Sequence, residues 1–309
     1  MKILRFDDDR IGVLKGADRV VDVSETISYR VEKGPQRVIE EVIEKFDALR
    51  TEFERISNRQ AGVPLGGVRL LVPIPRPSKC LGAFLNYLDL PERKAAPPPL
   101  DFFYKAPELV GPEETVELLD LPGVTHFHAE AELAFVMGRT AKHVTPEEAM
   151  AYVFGYVPFF DISARGVIRA TRFIPKGQDT FGPCGPWITT RDEVPDPHAL
   201  HVTSWTNGKV SQDFSTEHMT KRIPDQVAWL STFVRLQPGD VIATGTYHAG
   251  RDLLNDKDVI EIEIEKLGKA RFVIKKYRPE LGYAKGMEIK EATAGKLPTP
   301  ADVSKLTNI

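Results

Sequence analysis

Residues 126–137 read HFHAEAELAFVM, and they form the most informative stretch of the chain. Polar and apolar residues alternate over the first eight positions and the last four are apolar, which predicts a half-buried β-strand. Residues two apart on a strand point the same way at a spacing of roughly 6.5–7 Å, so Glu130 and Glu132 share a face. Two carboxylates directed at one point indicate a cation site. The alternative is a solvated strand face, which would carry the same charges.

A second acidic position ends the apolar run FGYVPFFD at residues 154–161. An ionised carboxylate is unfavourable in an apolar environment unless it is paired or hydrogen-bonded. We therefore expect the Asp161 carboxylate to have a partner. This additional carboxylate favours a cation site over a solvated strand face.

Five motifs follow one another in a recognisable order: HAEAELAFVMGR, GYVPFFDISARG, PKGQDTFGPCGPWI, NGKVSQDFST and LQPGDVIATGT. Together they resemble the fumarylacetoacetate hydrolase family over roughly Lys79 to Val273. The resemblance implies that Glu130, Glu132 and Asp161 are the three metal-binding carboxylates. It also implies that the metal is Mg²⁺ or Mn²⁺.

Composition limits the class of protein. The 309 residues are 42% hydrophobic and 28% charged with a net charge of −3, which is typical of a soluble globular enzyme. Lys and Arg are dispersed, so no nucleic-acid partner is expected. The sequence lacks both a long apolar run and the apolar core of a signal peptide, so we expect a cytoplasmic protein with no membrane partner. Cys80 and Cys184 are interpreted as small core residues.

The predicted fold class is mostly β with peripheral helices (α+β), and the resemblance implies the family's rolled β fold. Residues 1–72 are expected to form a small N-terminal α/β domain, 73–277 the catalytic domain and 278–309 a C-terminal tail. In the first domain, three short strands precede one helix from about Gln36 to Arg55, whose apolar residues recur with a period near 3.6.

Later elements are predicted from local signals. Thr145 and Pro146 are typical of a helix start, and Asn207-Gly208 is typical of a two-residue hairpin turn. The remaining predicted elements are a strand at Cys80–Leu85, a helix at Pro224–Val234 and strands at Val241–Thr244, Val259–Glu265 and Ala270–Lys275.

Further site residues are implied by the resemblance. Lys176 matches the family's active-site lysine, and Lys105 matches a lysine near the substrate entrance, with a surface lysine as the alternative. The hairpin at Asn207-Gly208 is expected to bring Gln212 and Thr216 towards the site. Thr246 is expected to bind the substrate carboxylate.

Two residues on the strand faces have open roles. Arg165 is expected either to hold a substrate carboxylate or to pair with the metal carboxylates, and a purely structural salt bridge is the alternative. His128 shares the face of Glu130 and Glu132. It could orient the ligand carboxylates without binding the metal, complete a histidine–carboxylate triad for iron or zinc, or be a structural histidine.

The chain departs from the family pattern at two places. Many members carry N-Y-x-x-H-x-x-E, with the histidine and glutamate activating water, but here Leu90 and Arg93 hold those positions and Glu92 lies one place away. Where members commonly read T-G-T-P-x-G-V-G, this chain has Tyr247 and His248. We therefore expect His248, or else Glu92, to act as base or proton shuttle. The alternatives for His248 are a loop residue that shapes the pocket or contacts substrate, and a contact with a partner subunit. The prolines at 97–99 are expected to form a lid or a surface loop.

Three carboxylates around a hard cation suit a small oxo-acid substrate that chelates through carboxylate and keto oxygens. Together with this chemistry, the family resemblance implies a divalent-metal-dependent hydrolase that cleaves a C–C bond in a β-diketo acid, such as an acylpyruvate or a fumarylacetoacetate-like compound, through a metal-stabilised enolate. The alternatives are a decarboxylase or isomerase of a 2-oxo or 2-hydroxymuconate-type diacid in aromatic catabolism, and a non-catalytic binding protein on the same scaffold. The family commonly forms homodimers.

Overall fold

The computed structural model of the chain describes residues 1–27, 34–89, 94, 98–166 and 172–280. The predictions for Leu90, Glu92, Arg93 and Pro97, and for the tail from residue 281 onward, lie outside the described residues.

The described strands form two sheets, of eleven and five strands. The larger sheet contains β1 (Lys2–Phe6), β2 (Arg10–Lys15), β3 (Arg19–Asp22), β4 (Val63–Pro64), β5 (Leu70–Leu71), β6 (Cys80–Ala83), β7 (Phe102–Tyr104), β9 (His126–Met137), β10 (Val153–Arg165), β11 (Ile188–Thr190) and β14 (Val241–Ala243). The smaller sheet contains β8 (Thr115–Leu119), β12 (His201–Thr206), β13 (Lys209–Ser215), β15 (Val259–Ile264) and β16 (Gly268–Tyr277).

The larger sheet runs in the order β4-β3-β2-β1-β11-β10-β9-β14-β6-β7, with β5 attached to β1. The antiparallel pairing of Lys2 with Thr189 and of Ile3 with Ile188 joins the N-terminal strands to the rest. The N-terminal segment therefore extends the same sheet that carries the acidic strands. The domain boundary at residue 72 stays a prediction.

Strands β9 and β10 are the longest and pair antiparallel along their whole length. Their register places Asp161 opposite Glu130 and Phe159 opposite Glu132. From Ala129 onward β9 is buried on both faces and is not half-buried as predicted. The smaller sheet packs against one face, so the apolar Leu133 and Phe135 enter one core cluster while Ala134 and Val136 enter the other.

The helices lie at the periphery. They are α1 (Gly34–Glu44), α2 (Phe46–Arg59), α3 (Pro146–Ala149), α4 (Phe173–Lys176) and α5 (Ile223–Phe233). Short 3₁₀ helices occur at Ser24–Thr26, Leu65–Gly67, Met150–Tyr152, Arg191–Glu193 and Thr216–His218. The mostly β fold with peripheral helices that the sequence predicts is confirmed.

The single N-terminal helix that we predicted is two helices. Lys45 has φ −103° and ψ 9°, which is not helical, and it separates α1 from α2. Its carbonyl accepts hydrogen bonds from Ala48 and Leu49 and so starts the second helix. The turn at Lys45 lets each helix bury its own apolar face, with Val38 and Val42 on α1 and Phe53 on α2.

Other boundaries differ by a few residues. The predicted helix after Thr145 ends as α-helix at Ala149 and continues as a 3₁₀ turn to Tyr152. Glu148 accepts a hydrogen bond from the Thr145 backbone N–H at 3.4 Å, as a capping residue does. Among the helices that the structure describes, none is long and apolar enough to cross a membrane.

Candidate metal centre and active site

Three buried carboxylates converge between β9 and β10. Glu130, Glu132 and Asp161 are at most 3% exposed, and one oxygen from each lies within 4.8 Å of the others. Glu130 and Glu132 point the same way because they are two apart on β9, and the register brings Asp161 to the same place. The strand pairing alone therefore assembles the acidic cluster.

Lys176 meets this cluster from α4. Its Nζ donates to Glu130 Oε2 at 2.7 Å and also to Asp161 Oδ2 and Ser163 Oγ. The side chain is only 7% exposed, so these bonds form away from bulk water. The structure thus brings the predicted active-site lysine into direct contact with two of the three predicted metal ligands.

Lys105 lies on the other side of Asp161 and is fully buried, so it is not a surface lysine. Its Nζ donates to Asp161 Oδ1, to the Lys176 carbonyl at 3.1 Å and to the Ile162 carbonyl at 3.3 Å. Burial lowers the pKa of Lys105, and the charge of Asp161 opposes that effect. Its contacts fix the position of Asp161 and of the end of α4, and its predicted substrate contact stays a prediction.

The two glutamates have opposite electrostatic environments. Burial alone would raise the pKa of Glu130, but the nearby charges of Lys176, Arg165 and Arg251 hold it well below the usual range. Burial and the charge of Asp161 raise the pKa of Glu132 well above the usual range, although Lys176 and the Gly245 N–H oppose this. Glu132 is thus the carboxylate that most lacks positive charge nearby.

Two arginines contact the same oxygen of Glu130. Arg165 Nη2 lies 2.5 Å from Glu130 Oε1, and Arg251 Nη1 donates to the same atom. Their side chains are 15% and 20% exposed, so both remain within reach of solvent at the edge of the cluster. Arg165 pairs with a predicted metal carboxylate, which is one of the roles expected for it.

The turn after β14 closes the site next to Glu132. Gly245 N–H donates to Glu132 Oε2 at 2.7 Å, and Thr246 Oγ1 donates to the Ala131 carbonyl at 2.7 Å. The Gln212 amide bridges the two elements, because it accepts from Ala131 N–H at 2.9 Å and donates to Thr246 Oγ1 at 3.0 Å. Gln212 and Thr246 are therefore beside the carboxylates, and their substrate contacts stay predictions.

Thr216 and His128 make contacts away from the carboxylates. Thr216 is buried, and its hydroxyl donates to the Pro197 carbonyl and accepts from the Leu200 N–H, both at 2.9 Å. The His128 Nδ1 lies 3.0 Å from the Asp252 carbonyl, and burial lowers the pKa of the ring. In the part of the chain that the structure describes, the cluster suited to a metal consists of the three carboxylates without His128.

His248 contacts a residue that the sequence analysis did not select. Asp89 Oδ2 lies 2.6 Å from His248 Nδ1 and also accepts from the His248 backbone N–H at 2.6 Å. The Asp89 side chain is 1% exposed and the His248 side chain is 18% exposed. A buried carboxylate therefore fixes a histidine whose side chain stays partly exposed.

Sequence reasoning missed three residues of the site: Ser163, Arg251 and Asp89. Ser163 could have been found, because it follows Asp161 by two on the same strand and must share its face. Asp89 stands one position before the family's missing histidine, which was a usable signal. Arg251 follows no periodic or turn pattern that would place its guanidinium on Glu130.

The donor set fits a hard divalent cation. Mg²⁺ and Mn²⁺ prefer carboxylate oxygens, and three such groups converge here. Burial and neighbouring negative charge disfavour the ionised form of Glu132, and a divalent cation at the cluster would relieve this. The three residues could therefore hold such an ion.

Comparison with known proteins points to one protein family. The model of the fumarylacetoacetate (FAA) hydrolase C-terminal domain matches residues 79–275. A maleylpyruvate hydrolase from Aquipseudomonas alcaligenes is 32% identical over 291 residues, which is 89% of this chain and 99% of that protein. The human mitochondrial oxaloacetate tautomerase FAHD2A is 36% identical over 219 residues, covering 67% and 69% of the two chains.

A solved structure shows similarity to the same family. The maleylpyruvate hydrolase from Sphingobium sp. SYK-6, in complex with manganese(II) and pyruvate, superimposes with a TM-score of 0.80 at 34% identity and covers 89% of this chain and 99% of that one. The family model spans more than half of the chain, and the relatives match it over most of their length. This chain is an enzyme of the fumarylacetoacetate hydrolase family.

Proposed function

We propose that the enzyme hydrolyses the C–C bond of an acylpyruvate, a 2,4-dioxo acid, and releases pyruvate and a carboxylic acid. The observation that carries this proposal is the convergence of three buried carboxylates and the Lys176 ammonium at one point. The likeness to maleylpyruvate hydrolases over nearly their whole length supports it.

Glu130, Glu132 and Asp161 would hold the Mg²⁺ or Mn²⁺ ion. When bound, such an ion supplies a Lewis acid that stabilises negative charge on the carboxylate and keto oxygens of the substrate. The manganese and pyruvate in the related hydrolase structure support this choice of metal and ligand.

Lys176 is proposed to act on the substrate held at the carboxylates. Its ammonium stabilises the negative charge that develops when the C–C bond breaks, and it can deliver a proton to the carbon that leaves with the electron pair. Lys105, on the far side of Asp161, holds that carboxylate in place while Lys176 changes its hydrogen bonds.

Arg165 is proposed to bind a substrate carboxylate, with Arg251 beside it. Both guanidiniums share Glu130 Oε1, and each has further N–H groups at the solvent-facing edge of the site. Thr246 and Gln212 keep the adjoining turn against β9, and Thr216 supports the segment at Pro197.

Enol–keto tautomerisation of an oxo acid is a second candidate function. Its specific support is the 36% identity to an oxaloacetate tautomerase, together with a lysine beside the carboxylates that can move a proton to carbon. Tautomerisation needs no attacking water, so it does not depend on a replacement for the family's water-activating histidine.

The two functions differ in their products. The enzyme should be assayed with acetylpyruvate, maleylpyruvate and oxaloacetate in the presence of Mn²⁺ and of Mg²⁺, with pyruvate, carboxylic acid, CO₂ and the enol–keto ratio as readouts. Hydrolysis predicts equal amounts of pyruvate and carboxylic acid from an acylpyruvate. Rapid oxaloacetate tautomerisation with no acylpyruvate cleavage would replace the hydrolase proposal by the second function, and CO₂ release would indicate a decarboxylase.

The homodimer expected from the family resemblance and the cytoplasmic location expected from the sequence are part of this proposal. Light scattering coupled to gel filtration, with and without Mn²⁺, tests the first, and cell fractionation tests the second.

A further inference from the structure

We propose that Asp89 orients His248 as the general base that takes a proton from the attacking water; the inference rests on the proposed hydrolase function. The pair joins two segments that are far apart in sequence, one before β7 and one after β14. It stands in place of the histidine and glutamate that the family's pattern would put at positions 90 and 93.

The hydrogen bonds of the pair fix the ring. Asp89 Oδ2 accepts from the His248 backbone N–H and lies at the same 2.6 Å from Nδ1. A carboxylate oxygen only accepts, so Nδ1 carries the proton and donates it. With the proton on Nδ1, Nε2 of the neutral ring is unprotonated, which is the form that a general base requires.

The burial of the pair differs from that of a surface ion pair. The Asp89 side chain is 1% exposed, while the His248 side chain is 18% exposed. The chain holds a comparison in His201 and Asp213, whose Nε2–Oδ1 distance is 3.0 Å but whose side chains are both 58% exposed. A surface pair of that kind contributes little, whereas a buried aspartate holds its partner in one orientation.

Both segments are tied to the carboxylate cluster. Asn86 donates to the Thr244 carbonyl at 2.8 Å, which places the segment ending at Asp89 against the turn after β14. In that turn, Gly245 bonds to Glu132 three residues before His248, and Arg251 bonds to Glu130 three residues after it. Arg251 Nε also donates to the His248 carbonyl at 2.9 Å. The histidine is therefore held between two contacts to the predicted metal ligands.

Water is the only co-reactant in the proposed hydrolysis of the acylpyruvate. As the water oxygen bonds to the acyl carbon, His248 Nε2 takes one water proton. The bond between the acyl carbon and the methylene carbon breaks, and its electron pair stays on the methylene carbon as the pyruvate enolate. One proton returned to that carbon gives pyruvate, and the acyl group leaves as a carboxylic acid that contains the water oxygen.

The test compares turnover, KM and Mn²⁺ affinity for acylpyruvate hydrolysis in four variants: His248→Ala, Asp89→Asn, Asp89→Ala and, as the matched control, His201→Ala. His248→Ala should lower kcat by about 10²–10⁴-fold, the range for a lost acid–base group. Asp89→Asn should lower kcat by about 10–10²-fold, as expected for a group that orients another, and Asp89→Ala by more, because the amide retains an acceptor for the His248 N–H. His201→Ala should leave kcat unchanged.

Mn²⁺ affinity by calorimetry and KM separate this role from a structural one. Both should stay within about threefold of the wild type in the His248 and Asp89 variants while kcat falls. The inference is overturned if His248→Ala keeps near-wild-type kcat, if Asp89→Ala does, or if kcat falls only in proportion to Mn²⁺ affinity. A wild-type enzyme that cleaves no acylpyruvate would instead overturn the proposed function, and the inference with it.

Discussion

Glu130 and Asp161 lie directly opposite each other across β9 and β10, so the strand register pairs two buried carboxylates. Like charges at opposed positions on a sheet are destabilising. Lys176 donates to both carboxylates, and this compensates for their repulsion in the described structure. Two opposed carboxylates lower the stability of the fold, and such an arrangement is expected where a binding site requires both groups.

Glu132 is predicted to be essential for metal binding but not for folding. Glu132→Gln should lower Mn²⁺ affinity by at least ~10²-fold, because it removes one of three carboxylate ligands. The metal-free variant should be as stable as the wild type, since burial and the charge of Asp161 disfavour the ionised Glu132. Calorimetry and denaturant unfolding measure the two quantities.

Thermal unfolding gives the control for that prediction. Mn²⁺ at about 100 times its Kd should stabilise the wild type by about 2.7 kcal/mol. The exposed Glu263→Gln variant should show the same gain, whereas Glu132→Gln, with its affinity lowered at least ~10²-fold, should gain at most about 0.4 kcal/mol at that concentration. Equal stabilisation of all three proteins would remove Glu132 from the metal site.

Lys176→Met is predicted to lower turnover far more than it raises KM. The ammonium is needed chiefly when negative charge develops on the substrate, and its loss should cost about 10²–10⁴-fold in kcat. Steady-state kinetics with saturating Mn²⁺ check this, with the exposed Lys275→Met as the control. A change in KM alone would make Lys176 a binding residue only.

His198 is predicted to make folding sensitive to acid. Its Nε2 accepts from the Ile223 N–H at the start of α5, and burial, with the charge of Arg222, lowers its pKa below 6.5. The unfolded chain therefore binds the proton more readily, and the free energy of unfolding falls as the pH drops below about 6.5. Above that pH, His198 is neutral in both states and has no such effect.

The measurement is urea unfolding at about pH 8 and about pH 5. His198→Gln keeps a hydrogen-bond acceptor but does not titrate, so it should lose less stability between the two values than the wild type. The same loss in both proteins would contradict this role of His198.

Gly250 is predicted to be required for the turn that carries His248 and Arg251. Its φ is +83°, and a Cβ there would lie 2.0 Å from the Ser211 carbonyl oxygen. Gly250→Ala should cost about 1–2 kcal/mol for the left-handed backbone and more for displacing Ser211, with a loss of turnover. Gly208→Ala is the control, because Gly208 has φ +77° and open space around its Cβ position. It should cost only about 1–2 kcal/mol for the left-handed backbone and leave turnover unchanged.

The strands of the site could be predicted because their signals are local. Alternation over residues 126–133 and the apolar run ending at Asp161 correspond to β9 and β10, and Asn207-Gly208 lies at the tip of the β12–β13 hairpin. The burial of β9 on both faces could not be predicted, because it depends on the smaller sheet that packs against it.

The contacts that define the site are mostly long-range in sequence. Asp89 and His248 are separated by 159 positions, and Arg251 and Glu130 by 121. No periodicity connects such residues, since their contact depends on how β6, β9 and β14 are ordered in the sheet. The break at Lys45 was missed for a related reason: the apolar period continues through it, and only the packing of each helix reveals the turn.

The central claim is that this enzyme uses water to cleave an acylpyruvate at the carboxylate cluster. The most direct measurement is mass spectrometry of the products formed in ¹⁸O-labelled water with Mn²⁺. We predict one labelled oxygen in the carboxylic acid that leaves as the acyl fragment, pyruvate in equal amount, and loss of both products when the metal is chelated. Cleavage without label in that acid, or cleavage that persists in Glu132→Gln after chelation, would contradict the account.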